Sequence, residues 1–578
     1  MGAPASELDQ AYEAFSRGKL EESNRLCTAI LERKPGDARA NHLAAAIALQ
    51  RNDAAAALRH IDHTIGSEPG LALAFHTRGM ALRALGRGEE AEGAFRRALS
   101  LQPRMAEAHA SLGYCAMDRG DLEAAQAHLE ESLRHQANAP EVINALGTLH
   151  ARHGDDERAA AAFEAALKIQ PRMAQASNNL GVVRMRQHRN AEAAEHFKRA
   201  LASSPNDAAA WGNLANAMRR MGRYGEAEQA YRRALALAPS NALLWRNAGR
   251  FLREAGRFTE AQQCLERAVV LAGSPEAHRS LAFVLLQSGD FPRGWKEYRW
   301  RDGPPEETAE AALRAAIAAA TPIELVGEQG LGDMLFFLRW ATLLAPAPLR
   351  WRGDGRIADL LGPTGLFSGE DTAGQPAAPA VIRVGDLPAL LESASCPPPL
   401  PMKPPPAALE AARAMLARAG PPPYVAVAWR AGVPSRDQDD YSNKELPLAD
   451  LARVLAPLSA TVVSIQRAPR PGETEPLAKA LGRAVVDCSR DNDDLSRMAG
   501  LLGAVDRYVG VSSTNAHIAA SLGLGCSILV SRSWEWRYGN EGLTSPWFPT
   551  FKLYRESAAA GWSQALAALG ADLASDLH

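Results

Sequence analysis

The stretch RMAQASNNLGVVRMRQHRNAEAAEHFKRALASSP (172–205) holds one copy of a pattern that returns along the first half of the chain. Its glycine (Gly181), its alanine (Ala193), the bulky Phe197 and the closing Pro205 each recur with a spacing of 34 residues. The prolines of this series are Pro35, Pro69, Pro103, Pro171, Pro205 and Pro239, with Ala137 in the place of the missing member. Small residues let two helices approach closely, bulky ones fill the groove between them, and proline ends the second helix. The pattern therefore predicts a stack of helix pairs.

This spacing resembles the tetratricopeptide repeat, a helix-turn-helix unit of 34 residues. The resemblance covers residues 4–275, about eight units, and implies an all-α solenoid. Beyond it, residues 276–320 are expected to form capping helices and a connector. There Trp295, Tyr298 and Trp300 replace the small residues, which is typical of a terminal unit whose outer face contacts another domain.

Composition and charge exclude several classes of partner. The chain of 578 residues has 64 Lys and Arg against 66 Asp and Glu, so its net charge does not favour nucleic acid or an anionic membrane. Its six cysteines are scattered without a CxxC motif, which indicates a reducing compartment. With no signal peptide and no stretch of 18 uninterrupted apolar residues, we expect no membrane span and a cytoplasmic location. The histidine pairs in HIDH (60–63) and HARH (150–153) are better explained by exposed helices than by a metal site.

From Thr321 the pattern changes to alternating strands and helices. IELVG (323–327) predicts a strand, GEQGLGD (327–333) a glycine-rich turn and MLFFLRWATLLA (334–345) a buried helix, which together form the opening of a doubly wound α/β unit. The later segments predicted as strands share short apolar runs; they are LRWRG (349–353), the beginning of AVIRVGDLPALL (380–391), YVAVAWRAG (424–432), ATVVSIQRA (460–468), GRAVVDCS (482–489), RYVGV (507–511) and GCSILVS (525–531). Such alternation predicts parallel sheets with helices on both faces and ligands at the carboxyl ends of the strands.

The proline-rich segment CPPPLPMKPPPAA (396–408) divides this region. Its composition predicts an extended, exposed connection. The sequence thus predicts two Rossmann-like halves, 321–408 and 409–578.

The turn after the strand RYVGV is the most specific local feature. Ser512, Ser513, Thr514 and Asn515 open the helix SSTNAHIAASLG (512–523), whose first N–H groups and positive dipole end suit a phosphate. In the alternative interpretation these side chains only cap the helix, and His517 is a structural histidine in its first turn. The residues alone leave both open.

Four ordered motifs resemble the heptosyltransferase-like glycosyltransferases. They are GEQGLGDMLFFLRW, VAVAWRAG, VVSIQR and VGVSSTNAHIAASLG, within about residues 321–570. The resemblance implies a GT-B fold with an acceptor-side half followed by a nucleotide-sugar half, with the nucleotide-sugar as co-substrate, no other cofactor and no metal. Proteins that fuse tetratricopeptide repeats to this domain include bacterial flagellin glycosyltransferases.

The resemblance also implies roles for individual residues. The predicted catalytic residues are Asp333, which corresponds to a proposed general base, and His517. The predicted acceptor-side loop contains Glu328, Gln329, Gly330 and Gly332. The predicted donor-binding residues are Arg430, Lys444, Gln466, Ser512, Ser513, Thr514 and Asn515, with Arg467 as an alternative to Gln466. The residues expected to stack on a base or sugar are Trp534, Trp536, Arg537 and Tyr538. The opposing interpretations are that Asp333 caps a helix, that Arg430 and Lys444 are surface charges, and that the aromatic residues pack against the cleft wall.

Two departures from the family pattern shape the functional hypothesis. Ser512 and Ser513 replace the usual Asp-Thr or Asp-Ser pair, and the first half is short, which indicates that acceptor recognition has moved to the repeats. We therefore predict a protein glycosyltransferase that modifies Ser or Thr of an acceptor held by the repeats, with flagellin as the acceptor that the resemblance suggests. The alternatives are a non-catalytic scaffold with a degenerate domain and a glycosyltransferase for a carbohydrate or lipid-linked acceptor.

Overall fold

A computed structural model describes residues 6–367, 378–431, 444–531, 535–539, 542–557 and 561–577. Trp534, one of the predicted stacking residues, lies outside these ranges. The chain forms two compact units, Met1–Pro239 and Ser240–His578. The first unit ends within the predicted repeat region, so the last helix pairs belong to the second.

The first unit is built of consecutive antiparallel helix pairs, as the periodicity predicts. Its helices are α1 (Glu7–Ser16), α2 (Leu20–Arg33), α3 (Ala38–Gln50), α4 (Ala54–Ser67), α5 (Ala72–Ala84), α6 (Gly88–Leu101), α7 (Ala106–Arg119), α8 (Leu122–His135), α9 (Pro140–Arg152), α10 (Asp156–Ile169), α11 (Ala174–Arg186), α12 (Asn190–Ser203), α13 (Ala208–Arg220) and α14 (Tyr224–Leu237). The second unit begins with α15 (Ala242–Glu254), α16 (Phe258–Ala272), α17 (Pro275–Gln287), α18 (Phe291–Tyr298) and α19 (Ala309–Ala319).

The glycine series has the physical role that its spacing indicates. A Cβ atom on Gly147 would lie 2.6 Å from the ring of Phe163, and one on Gly181 would lie 2.6 Å from the ring of Phe197. Phe197 is completely buried, so its ring has no room to withdraw. Each glycine therefore provides the space that the aromatic residue of the following helix fills.

An α/β region follows in the second unit. Its first part contains β1 (Ile323–Val326), α20 (Leu331–Phe337), a 3-10 helix (Leu338–Leu344), β2 (Leu349–Arg352), α21 (Gly355–Leu361), a 3-10 turn (Gly362–Thr364), β3 (Ala380–Arg383), a 3-10 turn (Val384–Asp386) and α22 (Leu387–Leu390). These strands form a parallel sheet in the order β2-β1-β3, with Ile323 opposite both Leu349 and Ala380.

The second part carries the larger sheet. Its elements are α23 (Pro406–Ala419), β4 (Tyr424–Ala428), β5 (Arg430–Ala431), β6 (Lys444–Glu445), α24 (Leu448–Leu455), β7 (Thr461–Ser464), α25 (Thr474–Leu481), β8 (Val486–Asp487), a 3-10 helix (Ser489–Asp493), α26 (Leu495–Leu502), β9 (Arg507–Gly510), α27 (Thr514–Ser521), β10 (Cys526–Val530), a 3-10 turn (Trp536–Tyr538), β11 (Phe551–Arg555) and α28 (Ser563–Asp576).

The order of the larger sheet identifies the edge at which a ligand is expected. The strands lie in the order β11-β10-β9-β4-β7-β8 and pair in parallel, which is the 3-2-1-4-5-6 arrangement of a doubly wound nucleotide-binding sheet. After β4 the chain adds β7 and β8 on one side and then β9, β10 and β11 on the other side, so the strand order reverses between β4 and β9. These two strands lie side by side, with Ala428 opposite Gly510. In such sheets ligands bind at the carboxyl ends of the two strands that flank this reversal.

The proline-rich segment differs from its prediction as an exposed connection. Leu400 and Met402 are buried, and the Met402 N–H donates to the Ser521 carbonyl at 3.0 Å. The prediction of exposure was wrong at these residues, because two apolar side chains among the prolines are enough to anchor the segment against α27.

An aromatic cluster joins the capping helices to the α/β region. We define it as Trp295, Phe336, Trp340, Trp536 and Trp547. The Trp295 ring, on α18, is 1% exposed and lies 5.6 Å from Trp340, 5.5 Å from Trp536 and 5.6 Å from Trp547, all edge to face. Edge-to-face packing at this distance is favourable, so α18 forms part of the core of the α/β region.

We expect Gly181→Ala to destabilise the repeats by about 1–3 kcal/mol, because the added methyl group overlaps the buried Phe197 ring. Gly93→Ala is the matched control: Gly93 is an exposed helical glycine with open space around its Cα, and alanine there should stabilise α6 by about 0.5–1 kcal/mol. Urea unfolding followed by circular dichroism measures both. Equal shifts in the two variants would contradict the packing role of Gly181.

Candidate functional site

The start of α27 lies at the carboxyl edge of β9, next to the point where the strand order reverses. Ser513 is the N-cap of α27, and its Oγ accepts a hydrogen bond from the Ala516 N–H at 3.4 Å. The Tyr508 hydroxyl lies 3.1 Å from the same Oγ and donates to the Val511 carbonyl at 2.9 Å. Ser513 and Thr514 are half-buried, while the first N–H groups of a helix lack partners within it. The arrangement can hold an anion at this edge.

Two predicted donor-binding residues are engaged within the fold. Gln466 is 1% exposed, and its Oε1 accepts from the Trp429 and Arg430 N–H groups at 3.1 and 2.9 Å. Its Nε2 donates to the carbonyls of Arg430 and Arg467 at 3.0 and 2.9 Å. Gln466 therefore ties the end of β4 to the end of β7, whereas its alternative, Arg467, is exposed.

Asn515 has a similar structural position. Its side chain is buried and donates to Asn492 Oδ1 at 2.9 Å and to the Ile465 carbonyl at 3.4 Å. These bonds hold the first turn of α27 against the ends of β7 and the Ser489–Asp493 turn. Burial of this kind depends on the strand order, which the local sequence does not contain.

Arg430 follows β4 and is paired with an acid. Its Nη2 donates to Glu473 Oε2 at 3.0 Å, while the Trp429 indole donates to the other carboxylate oxygen at 3.1 Å. Burial opposes ionisation of Glu473, but the hydrogen bonds from Arg430, the Arg470 N–H and Trp429 outweigh it and lower the pKa of Glu473 to about 2. The predicted partner Lys444 lies in β6, opposite Ala431, and its side chain is outside the described part of the structure.

The glycine-rich turn at residues 327–333, which follows the first strand of the smaller sheet, lies against α27; we call this turn the glycine loop. A Cβ atom on Gly332 would lie 3.2 Å from the His517 ring and 3.6 Å from the Thr514 Cα. His517 is buried and packs edge to face on Phe548, with ring centroids 5.1 Å apart. The helices that carry Asp333 and His517 are therefore direct neighbours.

Asp333 is held by an arginine. Its Oδ1 accepts a hydrogen bond from Arg537, a residue that the sequence placed in the aromatic segment without an acidic partner. The Asp333 side chain remains 32% exposed. Trp536 and Tyr538, which flank Arg537, are buried in the core, so both pack within the protein.

The rest of the acceptor-side loop contacts the capping helices. Glu328 is paired with the buried Arg301 and accepts from the Gly385 N–H at 3.2 Å; burial raises the pKa of this carboxyl. Gln329 has a φ of +66° and accepts from the Tyr298 hydroxyl at 2.9 Å, and Gly330 is the N-cap of α20. Arg301 also donates to Asp386 at 2.6 Å. Sequence reasoning missed Arg301 and Asp386, although the run of charged and aromatic residues at 295–302 marks the segment.

Neither a metal-ligand cluster nor a membrane-spanning helix occurs among the described residues. In the described ranges, no group of three or more His, Cys, Asp or Glu side chains is arranged to hold a metal ion. No helix in the same part of the chain is both long and apolar enough to cross a membrane. Metal independence remains a prediction.

Comparisons with known proteins identify the repeats. Family models of the tetratricopeptide repeat match residues 76–142, 140–173, 172–240 and 218–282. The N-terminal region therefore contains tetratricopeptide repeats, the architecture of a protein-interaction scaffold. No curated protein matches the chain.

Several solved structures are similar to part of the chain. A chain from the structure of the APC/C hetero-tetramer Cut9–Hcn1 is 20% identical over 48% of this chain and 55% of its own length, with a TM-score of 0.42. PilF of Pseudomonas aeruginosa is 22% identical over 36% of this chain and 96% of that one, with a TM-score of 0.33. A tetratricopeptide repeat protein from Parabacteroides merdae is 15% identical over 43% of this chain and 98% of that one, with a TM-score of 0.35.

We expect Arg430→Met to lower stability at about pH 7 by about 1–3 kcal/mol, because it leaves the Glu473 carboxylate short of its main partner. A carboxyl with a depressed pKa stabilises the fold above its unfolded value of about 4.5 and loses that contribution as the pH falls toward about 2. The variant should therefore lose less of its remaining stability between these values than the parent protein does.

Urea unfolding at about pH 7 and about pH 3 tests this expectation. Arg453→Met is the matched control, since Arg453 pairs with Asp450 on the surface with its side chain 76% exposed and should change stability by less than about 1 kcal/mol. An acid sensitivity identical in parent and Arg430→Met would rule out the role assigned to this pair.

Proposed function

We propose that the protein is a glycosyltransferase that moves a sugar from a nucleotide-sugar donor to a Ser or Thr hydroxyl of a protein bound by the repeats. One observation carries the proposal: the glycine loop of the smaller sheet lies against the start of α27, at the edge where the larger sheet reverses its order. This is where doubly wound sheets bind nucleotides. Two parallel sheets facing one site also suit the GT-B architecture that the sequence motifs suggest.

The donor diphosphate would rest on the first turn of α27. Its N–H groups, the helix dipole and the hydroxyls of Ser513 and Thr514 favour a negative charge there. Arg430 can contribute only if a phosphate replaces Glu473 as its partner, which is a favourable exchange for a planar guanidinium.

The reaction would use Asp333 as the base. Asp333 takes the proton of the acceptor hydroxyl while the oxygen of that hydroxyl attacks the anomeric carbon of the donor sugar. The bond from that carbon to the diphosphate oxygen breaks at the same time. The leaving diphosphate keeps the electron pair, and the start of α27 stabilises its charge. His517 supports the loop through its contact with Gly332.

A non-catalytic scaffold is the second candidate. Asp333 and Arg430 are both ion-paired, and the Gln466 amide is fully engaged with backbone groups. In a domain that has lost catalysis, the residues at the former site would be expected to bond to other protein groups in this way. Repeats bind proteins irrespective of catalysis, so the repeats alone do not separate the two candidates.

Ser513→Asp tests the donor site directly. Aspartate caps a helix as well as serine does, but its carboxylate repels a diphosphate at the same place. Titration calorimetry with a panel of nucleotide-sugars should show saturable binding of at least one by the parent, weakened roughly tenfold or more in the variant. Ser274→Asp, the same change at the N-cap of α17, should leave binding unchanged. If no nucleotide-sugar binds the parent, the scaffold is correct.

A fragment beginning at Ser240 separates the protein-acceptor and carbohydrate-acceptor hypotheses. It keeps the whole second unit, including Trp295 and Arg301, which a fragment beginning at residue 321 would remove from the core. We expect residues 240–578 to bind the donor like the full chain but to fail to glycosylate a co-expressed acceptor such as flagellin, as judged by intact mass. Undiminished transfer by the fragment would remove the repeats of the first unit from acceptor recognition.

A further inference from the structure

A buried arginine links the two sheets beside the proposed site. The Arg537 side chain is 8% exposed; its Nη1 donates to Glu535 Oε1 at 2.8 Å and its Nη2 donates to Asp333 Oδ1. Its guanidinium also lies over the rings of Trp536 and Phe336, 4.4 and 5.0 Å from their centroids. Burial opposes the charge, but Asp333 and Glu535 outweigh it and raise the pKa of Arg537, so the group remains a cation.

The contacts continue to the start of α27. Glu535 Oε1 accepts a hydrogen bond from Ser512 Oγ at 3.2 Å, and Ser512 directly precedes the N-cap of that helix. Asp333 ends the glycine loop after β1, whereas Ser512 follows β9. The chain of contacts Asp333–Arg537–Glu535–Ser512 thus connects the carboxyl edges of the two sheets.

Charge and shape make this connection rigid. Arg537 carries one positive charge between two carboxylates and lies against two aromatic rings, so it has little freedom to rotate. Removing one partner from a buried ion pair leaves an uncompensated charge, which is far more costly than losing a surface pair. By contrast, Asp333 is partly exposed on a helix of 7 residues and depends on Arg537 for a fixed orientation.

We propose that Arg537 is a positioning residue that holds the Asp333 carboxylate at a fixed place relative to the start of α27, where the donor would bind. The assignment of Asp333 as a base rests on the proposed function; the link between the two sheets does not. Arg537 is almost completely enclosed, so it acts through Asp333.

Arg339 offers a matched control. It is 2% exposed and lies over the same Phe336 ring at 4.9 Å, and over Phe548 at 4.2 Å. Its Nη1 donates to the Trp547 carbonyl at 2.6 Å, and its recorded partners include neither Asp333 nor Glu535. Lysine at either position keeps a cation but loses the two-pronged guanidinium.

Hydrogen–deuterium exchange of the full chain tests the link without any assay of activity. Arg537→Lys should raise the exchange rate roughly tenfold in the peptides covering both 327–337 and 511–521, because each loses its tie to the other. Arg339→Lys should leave these two peptides within about twofold of the parent. Unchanged exchange in Arg537→Lys, or the same increase in Arg339→Lys, overturns the proposal.

A transfer assay tests the positioning role where the parent is active. Arg537→Lys should lower kcat about tenfold to a hundredfold and leave the donor Kd, measured by calorimetry, within about twofold. The effects of Arg537→Lys and Asp333→Asn should not add in the double variant, since both act through one carboxylate. An additive double variant, or a loss confined to donor binding, contradicts positioning. A parent that binds no donor refutes the proposed function alone, and the exchange result still decides the link.

Discussion

The packing of the Trp295 indole determines how the second unit is assembled. Trp295 is completely enclosed and contacts aromatic rings from two other parts of the chain, among them Trp340 and Trp547. Aromatic side chains bury large areas and favour edge-to-face geometry, so one ring in this position fixes three segments together. α20 and its 3-10 extension, which continue from the glycine loop, are packed against this ring, and this packing helps to hold the loop beside α27.

A buried ion cluster reinforces the same junction. Arg301, just after α18, is paired with Glu328 in the glycine loop and with Asp386 after β3. The capping helices therefore contribute the cation that balances two acids of the α/β region. A charge in this position is tolerated because Asp386 is buried with it and Glu328 is largely buried. The helix pairs at the start of the second unit thus serve its α/β fold directly, in addition to any role in recognition.

The sequence predicts those features that depend on local patterns. The helix pairs follow from a fixed period, in which Gly181 and Phe197 are visible as partners because their spacing repeats. The alternation of strands and helices likewise predicts the parallel sheets. Two features do not follow from local patterns: the pairing of β4 with β9, and the ion pair between Asp333 and Arg537. The two residues of the ion pair lie 204 positions apart in the sequence. For the same reason the sequence predicts Gln466 as a ligand contact. In the structure Gln466 is buried at the strand ends, where its amide oxygen and nitrogen both form hydrogen bonds with backbone groups.

The burial of each arginine decides which of them suits an incoming phosphate. Arg301, Arg430 and Arg537 are all paired with carboxylates, so pairing alone does not distinguish them. Arg301 and Arg537 are almost completely enclosed, and turning either away from its acids would leave buried charges without compensation. Arg430 has a side chain that is 17% exposed at the carboxyl edge of β4, and its main partner Glu473 is shared with the Trp429 indole and the Arg470 N–H. If Arg430 turned to a phosphate, Glu473 would keep two hydrogen bonds. Of these three cations, Arg430 is therefore the one that leaves its acid best supported when it exchanges a partner.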